Sequence, residues 1–220
     1  MNSQDFEAYA DFKQFNTTIA NTWDAALNAA IRRVGQPADS ICLLDYGCGD
    51  GKYFKHLLEC GLQHCNIHGL EISVKRVARC QQIGWMNARL LEPNTPLPYK
   101  EGMFDLVNCM EVIEHIPVAE GWRVINELRR VLRPGGVLLI STPNYPIKRF
   151  YDFCDAALHG KWARLRDDPT HVTYFNHSRL TQLLAPNFTR IEPWPFKPGF
   201  LYKRLPKPFF LHKLFFLCQA

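Results

Sequence analysis

Two carboxylates and an imidazole lie close together in the sequence EVIEH, residues 111–115, directly after the apolar run Phe104–Cys109. Such a run is typical of a buried strand, so the polar residues at its end need an explanation. They could bind a metal, line a cofactor pocket or cap the next helix. If the chain turns helically here, Glu111, Glu114 and His115 share one face, because they are spaced i, i+3 and i+4.

His171 is a fourth candidate, because it follows the fifth predicted strand and the carboxyl ends of parallel strands meet at one edge of a sheet. We predict a divalent metal bound by Glu111, Glu114, His115 and His171, with both histidines also candidate catalytic residues. Two carboxylates with two imidazoles suit Mn, Fe, Co or Zn better than an all-oxygen Mg site. In the alternative, Glu114 caps a helix, His115 is a general base without metal, and His177 competes with His171.

The elements that would position these residues alternate along the chain between residues 41 and 141. Strands are predicted at Ile41–Tyr46, Asn66–Ile72, Ala88–Leu91, Phe104–Cys109 and Val137–Ser141. Helices are predicted at Lys52–Glu59, Val74–Gln82 and Ala119–Leu132. This alternation indicates crossover connections and a doubly wound, mostly parallel α/β sheet, in which ligands bind beyond the carboxyl ends of the strands.

A glycine loop, LLDYGCGDGKYF (43–54), follows the first strand and opens a helix. Its glycines at 47, 49 and 51 would let the backbone approach a ligand closely. The spacing fits neither a Walker loop nor the G-x-G-x-x-G of dinucleotide binding. Asp45 suits an ammonium group better than a pyrophosphate, which favours S-adenosylmethionine (SAM). Glu71, at the end of the second strand, could accept hydrogen bonds from both ribose hydroxyls of SAM or of NAD.

The motifs DYGCGDG, GLEIS, LPYKEGMFDLVNCMEVIEHI and LRRVLRPGGVLLISTPN together resemble the ordered motifs of class I SAM-dependent methyltransferases. The resemblance covers residues 40–145, with a weaker continuation to 190. It implies a Rossmann-like sheet of seven strands with the last one antiparallel and helices on both faces. The motif E-x-x-E-H with a distant histidine and STPN (141–144) resembles metal-dependent ubiquinone-biosynthesis O-methyltransferases and small-RNA 3′-terminal 2′-O-methyltransferases.

The same resemblance implies roles for individual residues around the cofactor. The methionine end would be held by Asp45, Gly47, Gly49 and Gly51, and bordered by Met110 and the backbone of Glu111. Glu71 would bind the ribose. Where relatives place an Asp near the adenine amino group, this chain has Glu92 and Asn94, of which we favour Glu92.

We divide the chain into four parts of one methyltransferase domain. They are a helical cap (1–36), a SAM-binding core (40–145), an acceptor-side insertion (146–175), and a C-terminal helix with the last strands (176–220). The segment 142–175 looks irregular and is rich in proline, aromatic and basic residues, and the helix HSRLTQLL (177–184) follows it. The final antiparallel strand is predicted at Lys213–Cys218.

Charge is distributed unevenly along the 220 residues, whose net charge is +5. Residues 1–120 carry 10 Lys+Arg and 15 Asp+Glu, whereas residues 121–220 carry 16 and 6. The basic half could attract an anionic acceptor, including RNA or a lipid-linked molecule, or it could be a solvated face. The amphipathic C-terminus could contact a membrane surface peripherally, but the final strand is the preferred interpretation.

Two classes of function fit these patterns, and a third does not. The leading one is methyl transfer from SAM to a hydroxyl oxygen, with an N-methyltransferase as its nearest alternative. A non-catalytic SAM-binding regulator is the second, and an NAD-linked enzyme disagrees with the glycine spacing. We expect a cytoplasmic protein without an integral membrane segment, because no signal peptide or long apolar run is present and the eight cysteines include no C-x-x-C pair.

Overall fold

The computed structural model describes residues 7–8, 10–11, 21–160, 162–165, 168–194 and 212–220. Its strands are β1 Leu43–Tyr46, β2 Ile67–Glu71, β3 Ala88–Leu90, β4 Phe104–Met110, β5 Leu132–Pro143, β6 Arg190–Pro193 and β7 Lys213–Gln219. Its helices are α1 Asn21–Val34, α2 Phe54–Glu59, α3 Val74–Gln82, α4 Val118–Val131, α5 Ile147–His159 and α6 His177–Leu184. Short 3₁₀ turns occur at Ala38–Ser40, His64–Asn66, Ile113–His115 and Trp162–Leu165.

The strands form one sheet in the order β3-β2-β1-β4-β5-β7-β6. The first five strands run parallel, and β7 is antiparallel to both β5 and β6. The chain winds outward from β1 to β3 and then returns to β4 on the other side of β1. A ligand crevice is therefore expected beyond the carboxyl ends of β1 and β4, where the winding changes direction.

Helices cover both faces of the sheet, because neighbouring strand residues point to opposite sides. Leu43 and Phe215 pack with Leu27 of α1 and the fully buried Trp85 on one face. Leu44, Phe216, Ile125 of α4 and Leu180 of α6 form the core on the other face. The prediction of a seven-stranded, mostly parallel sheet with an antiparallel last strand is confirmed.

Local signals explain why two helices begin where they do. The Ser73 hydroxyl accepts a hydrogen bond from the backbone N–H of Arg76 and caps α3. The side chain of Asn176 accepts one from the N–H of Arg179 and caps α6. These polar caps satisfy amide groups of the first turn and so fix where both helices begin.

The structure bears on the expectations for the segments 1–36, 142–175 and 176–220. The segment 142–175 is not irregular, because it contains α5 and the 3₁₀ turn Trp162–Leu165. The edge strand β6 was not predicted. Within the cap 1–36 the helix α1 is present, whereas residues 1–6, 9 and 12–20 lie outside the described residues. In the part of the chain that the structure describes, no helix is both long and apolar enough to cross a bilayer.

Candidate active site

A cleft of about 630 Å³ opens at the carboxyl ends of β1, β2 and β4. Its walls are the glycine loop, the end of β2, residues 91–97, the segment 110–117 after β4, and Trp23 of α1. Most of its walls thus come from the loops that follow strands, which is where a doubly wound sheet binds its ligand.

Gly47 and Gly49 line this cleft with backbone φ values of +75° and +57°. A Cβ atom on Gly47 would lie 2.4 Å from Val112 Cγ2, so no larger residue fits without displacing the segment after β4. Gly51 has a different role. It does not line the cleft, and a Cβ there would lie 2.9 Å from Ile83 Cδ1, so this glycine lets the loop pack against residues beside α3.

Glu71 lines the cleft from the end of β2 and is 5% exposed. Its Oε2 accepts a hydrogen bond from the Gly49 N–H at 2.8 Å, and its Oε1 accepts one from the Ser73 N–H at 3.0 Å. Burial raises the pKa of this carboxyl group, although the two backbone donors oppose that effect. The carboxylate is therefore fixed beside the glycine loop, as a ribose acceptor would need to be.

Asp45 is buried at 1% exposure and does not line the cleft. Its Oδ1 accepts a hydrogen bond from Asn108 Nδ2 at 2.7 Å, whereas its Oδ2 has no partner among the described residues. Burial raises the pKa of Asp45 to about 7, and the neighbouring Glu71 adds to this shift. Asp45 thus lies buried next to Glu71 and the cleft wall, and its contact with the methionine end stays a prediction.

Glu92, Asn94 and Met110 all line the cleft, as predicted. Asn94 adopts a positive φ of 64°, and its Oδ1 accepts a hydrogen bond from Arg123 at 2.6 Å. This contact occupies the Asn94 oxygen, which leaves the Glu92 carboxylate better placed to meet an adenine amino group.

Glu114, His115 and His171 come together on the acceptor side of the cleft. One ligand atom of each lies within 4.8 Å of the others. The rings of His115 and His171 are 4.9 Å apart between centroids, and only His115 of the three lines the cleft. His177 is not part of this group, because it begins α6 and packs on Phe216.

Hydrogen bonds hold each member of this trio in place. Glu114 Oε2 accepts a bond from Thr142 at 3.0 Å, and its Oε1 is buried without a partner among the described residues. His115 Nδ1 lies 3.1 Å from the Thr170 carbonyl, and His171 Nδ1 lies 3.2 Å from the Tyr145 hydroxyl. Burial and the charge of Glu111 raise the pKa of Glu114 to about 8. A cation beside Glu114 would reverse that shift.

Glu111 is not part of the trio, which differs from the predicted set of four metal ligands. Its backbone has a φ of +57°, and the turn begins only at Ile113, so the expected shared helical face does not include it. Its carboxylate accepts hydrogen bonds from Ser141 at 3.0 Å and from Lys213 at 2.6 Å. The carboxylate of Glu111 is thus already neutralised by the ammonium group of Lys213 in β7.

Several residues at the site were not predicted from the sequence. Trp23, Lys52 and Thr170 line the cleft, and Lys213 neutralises one of its acids. Lys52 could have been noticed from its position in the glycine loop. Trp23, Thr170 and Lys213 reach the cleft through tertiary packing, and no local sequence signal marks them.

Comparison with protein families identifies the class of protein to which this chain belongs. The sequence profile of a family described as "Methyltransferase domain" matches residues 15–187, which is most of the chain. The chain belongs to this family, the class I SAM-dependent methyltransferases. This membership confirms the family and the SAM cofactor that the ordered motifs predicted.

Curated relatives of this methyltransferase include ubiquinone biosynthesis O-methyltransferases. The one from Xanthomonas oryzae is 32% identical over 114 residues, which cover 46% of this chain and 43% of the relative. The one from Hydrogenovibrio crunogenus is 25% identical over 158 residues, covering 64% of this chain and 63% of the relative. The chain thus spans less than two thirds of the length of these relatives.

Solved structures support the fold. A SAM-dependent methyltransferase from Archaeoglobus fulgidus superposes with a TM-score of 0.64 at 15% identity, covering 90% of this chain and 94% of that one. A Burkholderia thailandensis 1,6-didemethyltoxoflavin-N1-methyltransferase superposes with a TM-score of 0.63 at 18% identity, covering 99% and 86%. At these identities the likeness concerns the fold alone.

Proposed function

We propose that this methyltransferase transfers the methyl group of SAM to a hydroxyl oxygen of its acceptor. The observation that carries this proposal is the trio Glu114, His115 and His171, which places one proton-accepting ring, that of His115, at the wall of the SAM cleft. A hydroxyl acceptor must lose its proton during transfer, and such groups are what that step needs. The names of the curated O-methyltransferase relatives agree with this proposal.

SAM would lie with its ribose hydroxyls on Glu71 and its adenine toward Glu92 and Asn94. Its methionine end would follow the backbone of Gly47, Gly49 and Met110. This placement leaves the sulfonium facing the acceptor side, where His115 lines the cleft. Methyl transfer is an in-line displacement, so fixing donor and acceptor in one line supplies much of the rate.

His115 is the residue best placed to receive the acceptor's proton. The Thr170 carbonyl can only accept a hydrogen bond, so the contact at 3.1 Å assigns the ring proton to Nδ1. The lone pair of the neutral imidazole then lies on Nε2, which can act as the base. His171, held by the Tyr145 hydroxyl, would position the His115 ring through the ring contact at 4.9 Å.

The same trio could also hold a divalent metal, and its chemistry fits one. The donors lie within 4.8 Å of one another, and Glu114 offers a buried oxygen without a partner in the described part of the chain. One carboxylate with two imidazoles suits Mn, Fe, Co or Zn. Such an ion would supply a lower pKa for the acceptor hydroxyl when bound. Glu111 is no longer included among the proposed ligands.

The charge distribution of the chain bears on the kind of acceptor. The basic balance after residue 120 favours an anionic acceptor, and both an RNA end and a lipid-linked phenol satisfy that condition. An N-methyltransferase is the alternative, since a neutral amine needs less help with its proton. A cytoplasmic location stays a prediction.

A paired assay with methyl-labelled SAM tests the proposal. Each pair of acceptors would share one scaffold and differ only in carrying a hydroxyl or an amine, with a phenol carboxylate and the matching aniline carboxylate as the first pair. We expect label on the hydroxyl member and loss of at least about tenfold in rate with His115→Ala. Exclusive labelling of amines would establish the N-methyltransferase. Binding of SAM with no transfer to any acceptor, including RNA and lipid-linked phenols, would favour the regulator.

A further inference from the structure

Lys52 is a basic residue of the glycine loop that lines the cleft and is partly buried. Its Nζ lies 4.2 Å from the ring centroid of Trp23 and 5.9 Å from that of Tyr53. Among the residues that the structure describes, no carboxylate forms an ion pair with Lys52. A partly buried ammonium group without a counterion is costly, which points to an anionic ligand.

The surroundings of Lys52 hold the ammonium group in place without neutralising it. Trp23 offers its ring to two cations, because Lys213 Nζ also lies 4.6 Å from its centroid. A cation–π contact attracts a cation but adds no negative charge. Lys213 is paired with Glu111 at 2.6 Å, so the uncompensated charge at this end of the cleft belongs to Lys52. Burial and the nearby Lys213 lower the pKa of Lys52, whereas the charge of Glu111 only partly opposes them, and a bound anion would act in the same direction as Glu111.

The other cationic side chains of the cleft already face polar groups. Arg123 donates to the Asn94 side chain at 2.6 Å. Arg76 lies beside the glycine loop and lowers the pKa of Glu71 through its charge. Of the three Lys and Arg residues that line the cleft in the described part of the chain, Lys52 is therefore the one available to an anion.

SAM carries a single anionic group, the α-carboxylate of its methionine end. The glycine loop that would hold this end leads directly into Lys52. We propose that Lys52, held against Trp23, binds the α-carboxylate of SAM and so distinguishes SAM from analogues that lack this group. This inference rests on the SAM dependence of the proposed function, and it assigns no role in the transfer step.

Calorimetry with SAM and with decarboxylated SAM, which lacks only the carboxylate, tests the assignment. Lys52→Met keeps an apolar stem against Trp23 and removes the charge. We expect it to weaken SAM binding by about tenfold and to change the binding of decarboxylated SAM by less than about twofold. Lys52→Arg should keep SAM affinity within about threefold of the original protein. Lys55→Met is the matched control, because that lysine is 88% exposed one turn away and should change neither affinity.

Each contrary result has a distinct meaning. Equal losses for both ligands in Lys52→Met would show that the side chain shapes the cleft without recognising the carboxylate. Unchanged affinity for SAM in Lys52→Met would also overturn the assignment, while leaving the methyltransferase proposal intact. Absence of SAM binding in the unmodified protein would overturn the methyltransferase proposal and this inference with it. Thermal unfolding of each variant identifies any loss of fold. If Lys52→Met is unfolded, Lys52→Arg is compared with the original protein instead, and a loss of SAM affinity beyond about threefold in Lys52→Arg would contradict the assignment.

Discussion

Lys213 Nζ lies 2.6 Å from Glu111 Oε2 and joins the last strand of the sheet to the end of β4. The two residues are 102 positions apart in the chain, and both side chains are roughly three-quarters buried. Glu111 also raises the pKa of Glu114 through its negative charge. The ion pair therefore keeps two neighbouring acids from destabilising the acceptor side of the cleft.

Lys213→Met should lower the free energy of unfolding by about 1–2 kcal/mol, because it leaves Glu111 unpaired beside Glu114. Urea denaturation measures the effect. Lys55→Met removes an exposed pair with Glu59 at 3.8 Å and should cost less than about 0.5 kcal/mol. Adding Glu111→Gln to Lys213→Met should recover most of the lost stability. Equal effects of the two lysine substitutions would contradict the role given to this pair.

Gly47→Ala tests whether the glycine loop must pack closely against the segment after β4. The new methyl group would lie 2.4 Å from Val112 Cγ2. We expect a loss of at least about 2 kcal/mol in stability and of more than about tenfold in SAM affinity. Gly35→Ala is a matched control, because Gly35 has a φ of +72° but no atom within 4 Å of its Cβ position. It should cost about 1 kcal/mol and leave SAM affinity unchanged. Similar SAM affinities for the two variants would contradict this account.

Asp45 should make the protein less stable as pH rises from about 4 to about 7. Its folded-state pKa is raised to about 7 from 3.8, so the folded state binds the proton more tightly than the unfolded state. Stability from this group is complete below the unfolded pKa and is lost as pH rises through the folded one. Asp45→Asn should remove this loss, which is at most about 4 kcal/mol. Denaturation midpoints at pH 4 and pH 8 measure it, and an unchanged pH dependence in the variant would contradict the assignment.

Sequence periodicity predicted the parts of the fold that depend on neighbouring residues. The helices Val74–Gln82 and 177–184 have the predicted bounds, and in the structure Ser73 and Asn176 cap their starts. Helix α5 was missed because the proline, aromatic and basic residues of 142–175 indicated an irregular segment, and only Ala156 of this helix is fully buried. Its stability must come largely from tertiary packing, which one segment of sequence does not reveal.

The site was predictable where neighbouring residues determine it. Glu114 and His115 are adjacent and occupy the expected strand end, and His171 meets them as the topology indicated. Glu111 was assigned to the metal because its spacing suits a helical turn. Its left-handed backbone and its pairing with Lys213 depend on a strand 102 residues away. Only the assembled sheet shows that contact.

Metal analysis after purification tests the trio directly. If the trio holds a metal, the protein should carry about one divalent ion per chain, and both Glu114→Ala and His171→Ala should lose it. His159→Ala is the control, because that side chain is exposed at 58% and pairs with Asp155. Chelation should abolish transfer, and added Mn should restore it. Full activity in excess chelator would show that His115 acts as a base without a metal. Loss of the metal in His177→Ala would show that His177, and not His171, is the second histidine ligand.

An anionic acceptor should be attracted by Arg149, a basic residue near the start of α5. Arg149 is exposed, and its guanidinium lies 6.0 Å from the Tyr174 ring, which packs on Tyr145 beside His171. The KM of an anionic acceptor should therefore rise with ionic strength, because salt screens exposed charges. In Arg149→Gln, KM should be about two- to fivefold higher at low salt and should rise less steeply. A neutral acceptor of the same shape and the variant Lys55→Gln should show neither effect. A KM for the anionic acceptor that does not depend on salt would show that the basic residues form a solvated face and do not attract the acceptor.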